Sequence, residues 1–91
     1  MALLRRRGES QSMRERGKLR RHLRELEELR EERLRDLGGL ALEMHARDRV
    51  DQALLWKPAA EIAAIDDEAK LVRRGLDEGL TLVQLEGIAQ R

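Results

Sequence analysis

The sequence predicts an all-α fold: a long antiparallel helical hairpin of coiled-coil type, followed by a short C-terminal helix and completed by self-association. Three observations carry that expectation. Charged residues make up 41% of the chain, and Leu, Ala, Arg and Glu supply most positions, which is the composition of long, surface-rich helices. Phe and Tyr are absent and Trp occurs once, so the core must be aliphatic. Apolar residues recur at spacings of three and four along most of the length, the period of one helical face.

The first eleven residues combine Arg5, Arg6 and Arg7 with Gly8, Ser10 and Gln11 and show no apolar period, so they are expected to form a flexible basic arm. Ser12 and Glu15 then have the spacing of a capping box, in which a hydroxyl and a carboxylate satisfy each other's backbone amides. A first helix is expected to start there and to run to about Trp56. Its stripe is Leu19, Leu23, Leu26, Leu34, Leu37, Ala41, Met44 and Leu55, flanked by Leu29, Leu40 and Leu54. A strict heptad would place Arg30, Arg33, Arg47 and Asp51 in the seam, whereas an eleven-residue period, as in Leu23/Leu34 and Leu26/Leu37, meets fewer charges and predicts little supercoiling. Gly38 and Gly39 interrupt the run at roughly 1 kcal/mol each relative to Ala, which calls for a kink, a close helix approach or a hinge.

Pro58 lacks an amide donor and is favoured in the first turn of a helix, which places the hairpin turn near 56–58. A single helix kinked at Pro58 is the alternative. The second helix has a seam free of charge, Ile62, Ile65, Ala69, Val72, Leu76, Gly79 and Val83, with Gly79 suited to end it in the left-handed conformation. Thr81 and Gln84 repeat the capping-box spacing, so residues 80–91 are expected to form the short third helix, with Leu82, Leu85 and Ala89 on one face. Ending without a Pro or Gly terminator, the sequence reads as a piece of a longer polypeptide.

These lengths imply association. A first helix over 13–56 would extend on the order of 65 Å and a second over 58–78 about 30 Å, so the fold-back would cover only half of the first. Hairpin packing is assigned to Leu37, Leu40, Ala41, Met44 and Leu55 against Ile62, Ile65, Ala69, Val72 and Leu76, and self-association to Leu19, Leu23, Leu26, Leu29 and Leu34. Trp56, next to the turn, is expected to plug the open end of the hairpin.

The net charge of +1 conceals an asymmetry: residues 1–24 hold nine Arg or Lys against Glu9 and Glu15, giving +7, and the remainder carries −6. An antiparallel homodimer would set each basic end beside the partner's Glu25 to Glu32 region. Arg5, Arg6, Arg7, Arg14, Lys18 and Arg21 form a candidate nucleic-acid contact, with Arg16, Arg20 and Arg24 on a neighbouring face. No aromatic residue lies near them to stack on bases. The bland reading is a solvated face with pairs such as Arg21–Glu25 and Arg24–Glu28.

Chemistry finds little footing. Without cysteine there is no disulfide, thiolate ligand or thiol nucleophile, which suits a reducing cytoplasm. His22 and His45, the latter with Glu43 and Asp48 nearby, do not make a metal-ligand pattern, and Ser10, Ser12 and Thr81 read as arm and caps. No catalytic residue, cofactor or metal site is assigned, and no signal peptide or membrane span is read. The stretch Arg35 to Asp48, RDLGGLALEMHARD, resembles a segment recurring in uncharacterised actinobacterial coiled-coil proteins, some of them a helical hairpin followed by a cysteine zinc ribbon. The resemblance spans about residues 18 to 90 and implies the hairpin; with no cysteine here it implies no zinc ribbon, and it brings no functional residues. The sequence therefore reads as a non-enzymatic scaffold or protein-interaction module, a homodimer that serves an unidentified protein partner. The alternative is a basic-armed accessory protein of nucleic acid or the ribosome.

Overall fold

Two helices account for most of the chain: α1 (Ala2–Ala46) and α2 (Gln52–Glu78), antiparallel and joined by residues 47–51. The structure, a computed structural model, describes the backbone of residues 2–79 and the side chains of residues 13–79. The assignments made for residues 80–91 lie outside the described residues. No strand occurs among the described residues, as the composition requires.

The turn sits at 47–51 and not at 56–58, and local hydrogen bonding explains why. The chain leaves α1 through Asp48, whose φ of 53° is left-handed, a region that Asp tolerates better than most residues. The Arg49 amide donates to the Met44 carbonyl at 3.0 Å and the Asp48 amide to that of His45 at 3.1 Å. Together these are the paired bonds of a Schellman motif, with Asp48 where glycine is usual. Asp51 then caps α2, its Oδ1 accepting from the Ala53 amide at 3.0 Å. Both helix ends are thus satisfied within five residues. Pro58 falls inside α2, where it leaves the Leu54 carbonyl without the amide donor four residues on. A turn at 56–58 would instead carry Arg47 and Asp51 into the apolar seam.

Other boundaries shift too. Helix α1 begins at Ala2, so residues 2–11 are helical backbone rather than an arm, and Ser12 is an interior position, not a cap. The Leu, Arg and Glu of that segment are good helix formers, and a helix nucleated downstream propagates through them at small cost. Gly38 and Gly39 are exposed within α1, and a Cβ built on either meets nothing within 4 Å, so no other helix approaches them. Gly79 ends α2 as expected, with φ of 70°.

The chain packs as two units, one formed by Met1–Glu25 with Lys70–Arg91 and the other by Leu26–Ala69. In the second, Leu26, Met44, Ile62, Ile65 and Ala69 are buried, with Leu29, Leu37, Leu40, Leu55 and Pro58 half-buried around them. Ala41, assigned to the hairpin core, is exposed because it lies to one side of the Leu37–Met44 line. Arg30 occupies the seam position that the eleven-residue reading avoided, and its guanidinium pairs with Asp66 of α2. Both side chains remain more than a third exposed, so this pair is worth only about 0 to 1 kcal/mol; its larger effect is on register, since a slip of α2 would leave Arg30 in the seam unpaired.

In the first unit, Leu19 is 0% exposed and Val72 3%, with Gly75 also buried. Val72 therefore belongs with the N-terminal part of α1 and not with the Leu37 to Leu55 half assigned to it. Leu19 and Leu26, assigned to self-association, are already covered within one chain. The reason is again the turn: starting at Gln52, α2 is 27 residues long, and its last turns lie beside Arg16, which bonds the Leu76 carbonyl.

Two outcomes test this arrangement. Asp51→Ala should lower stability by about 1 kcal/mol, and Asp48→Gly should raise it by about 0.5 to 1 kcal/mol by relieving the left-handed residue; chemical denaturation measures both. Val72→Asp or Ile65→Asp would bury an unpaired charge and should abolish cooperative thermal unfolding followed by circular dichroism. A melting curve unchanged by Val72→Asp would place that seam in solvent.

Candidate interaction surfaces

No group of three or more His, Asp or Glu able to hold a metal converges among the described residues. His22 is half-buried and engaged with a neighbour, and His45 is exposed in the last turn of α1, where a basic side chain complements the helix dipole. Asp48, the possible companion of His45, is the left-handed residue of the turn. No described helix is long and apolar enough to cross a membrane.

Two surfaces stand out, one in each unit. The first is on the N-terminal part of α1, where Arg14, Lys18, Arg20, Arg21 and Arg24 are all exposed. They line an open groove of about 560 Å³ together with Gly17. None of the five cations has an ion pair among the described residues, so the Arg21–Glu25 and Arg24–Glu28 pairs of the solvated-face reading are not formed. Arg16, by contrast, is not part of this face. Its Nη2 donates at 3.2 Å to the Leu76 carbonyl, which also accepts from the Gly79 amide at 3.4 Å, and so sets a positive charge at the negative end of α2. Arg5, Arg6 and Arg7 lie in the opening turns of α1, and their side chains are outside those described.

The second surface is on α2. Trp56 does not plug the hairpin; it is 73% exposed. The cause is helical phase: Leu55, Pro58, Ile62 and Ile65 face inward, and Trp56 falls on the opposite side. Ala53, Ala60 and Ala63, at the same three-four spacing, are exposed with it, and Asp67 closes the row. Helix α2 thus carries two apolar stripes, one packed and one open. The open stripe was legible in the alternation 53, 56, 60, 63, but Ala is so common in helices that the pattern carries little weight until burial separates the faces. Near the turn, Val50 and Leu54 are also exposed.

The remaining self-association residues are divided. Leu23 and Leu29 are half-buried and Leu34 is 39% exposed, so the stripe from 19 to 34 is mostly consumed by the hairpin. Comparison with protein-family models, with curated proteins and with solved structures finds no match to this chain.

The contrast between Arg16 and its neighbours is measurable. Arg16→Ala should cost about 1 kcal/mol of stability through the lost bond to the α2 terminus. Lys18→Ala should stay within about 0.5 kcal/mol of the parent in the same denaturation assay.

Proposed function

We propose that this chain is a non-enzymatic protein-interaction module that self-associates, working in the cytoplasm, through the outer stripe of α2 rather than through Leu19 to Leu34. The observation that carries this reading is Trp56, a large apolar side chain left 73% exposed on a row of alanines. Small residues let a second helix approach closely, and a Trp set among them provides the kind of anchor on which helix interfaces concentrate their energy. From Gln52 to Ala64 the outer side of α2 offers no charge to oppose such an approach; Lys57 and Glu61 flank it.

A second copy of the chain fits this stripe in antiparallel orientation about Ala60. Trp56 of one copy would then lie over Ala63 and Ala64 of the other. The resemblance of Arg35 to Asp48 to actinobacterial coiled-coil proteins points to the same class of protein. A heterologous helix of similar character would use the same row, which is how a scaffold of this kind would serve a further partner.

Light scattering tests the proposal. At tens of micromolar the parent should have about twice the 10.6 kDa of one chain, and Trp56→Glu or Ala60→Glu should return it to a monomer of unchanged helicity. Loss of the Trp anchor should weaken association by at least about 2 kcal/mol, roughly thirtyfold in the dimer dissociation constant. A parent mass of 10.6 kDa at several hundred micromolar would end this reading.

A further inference from the structure

The basic groove on α1 has a layout that the count of charges alone does not convey. At 100° per residue, Arg14, Lys18 and Arg21 fall along one edge of the outward face, Arg20 and Arg24 along the other, and Gly17 lies on the line between them. The floor of the groove is therefore backbone, and a Cβ placed on Gly17 meets nothing within 4 Å. The apolar side of the same segment is not free: Leu19 is fully buried within the chain.

We propose that this face docks in the major groove of double-stranded DNA, each row of cations reaching one of the two phosphate strands. A helix about 10–12 Å across matches a major groove about 12 Å wide, and a bare floor allows deep entry. The partner's class follows from what the face has and lacks. It has cations on both edges that make no ion pair among the described residues, matching the two strands of a duplex. It lacks aromatic residues, so single strands have nothing to stack on. It lacks Asn or Gln for adenine edges and carries its arginines along the two edges rather than on the floor, so binding is dominated by phosphate contact and depends only weakly on sequence. It lacks an exposed apolar row, which an interfacial membrane helix requires, and the major groove of duplex RNA is too narrow to admit a helix. Glu25 and Glu28 follow on the same side of α1 and limit the contact to residues 14–24, about 15 Å of helix.

Fluorescence anisotropy of the full chain with a labelled DNA duplex of about 24 base pairs tests this, titrated across sodium chloride concentrations from about 50 to 300 mM. Five phosphate contacts contribute about −4.5 to the slope of log affinity against log salt. The pair Arg20→Ala/Arg24→Ala should reduce that slope by about 2, and Lys18→Ala/Arg21→Ala should do the same. Gly17→Glu is the most specific variant. It replaces a poor helix former with a good one in open space, so folding is retained, yet it sets a carboxylate on the groove floor and should weaken binding at least about tenfold. The proposal is overturned if the parent does not bind at 50 mM salt or if Gly17→Glu binds as the parent does. It is equally overturned if duplex RNA of the same sequence, phosphatidylserine vesicles or polyglutamate bind as tightly as the DNA.

Discussion

Five residues, Arg47 to Asp51, set the pairing of the two helices within the Leu26–Ala69 unit. A hairpin of two helices has one free parameter of consequence, the point of reversal, because moving it by one residue shifts the pairing between the helices by two. Here the reversal is held by the left-handed Asp48, by the amides of Asp48 and Arg49 returned to α1, and by the carboxylate of Asp51 facing forward into α2. None of these contacts stabilises by more than about 1 kcal/mol. Their influence is positional: Arg30 meets Asp66 and Trp56 is turned outward because α1 ends at Ala46.

The charged residues follow the same logic. Arg30 and Arg16 both leave the helix surface for a definite partner, Asp66 in one case and the Leu76 carbonyl in the other. Each partner is polar and sits on α2, so each unit adds to its apolar contacts, which would tolerate sliding, one polar contact that would not. The cations that have no such partner, at 14, 18, 20, 21 and 24, remain at the surface as a separate feature. Two arginines two residues apart, Arg14 and Arg16, thus have unrelated roles.

The fold class was legible in the sequence because it rests on composition and period, which are properties of many residues at once. The inner seam of α2, Ile62 to Val72, was legible for the same reason. The turn was not, because Pro58 is a strong local signal and Asp48 and Asp51 are weak ones; yet the weak pair satisfies both helix ends, and a helix survives one missing amide in its second turn. The conflict was visible in the heptad frame, where continuing the first helix past Ala46 drives Arg47 and Asp51 into the seam. From the misplaced turn followed the assignment of Leu19 and Leu26 to a dimer contact and of Trp56 to the hairpin end. Arg14, Lys18 and Arg21 are exposed as the charge pattern suggested, whereas Arg16 is drawn to the Leu76 carbonyl, and the open space beside Gly17 emerges only from the structure.

Gly17, Gly38 and Gly39 stand in α1 with open space beside them, and no steric demand accounts for any of the three. Together they forgo about 3 kcal/mol of intrinsic helix stability in one element. A helix so weakened depends on its neighbour to persist, since the apolar face buried against α2 has to supply what the backbone preference does not. Secondary and tertiary structure in this protein are therefore coupled quantities. The ellipticity of α1 reports the packing of the hairpin, and amide exchange along the 38–39 segment gauges how often the two helices part.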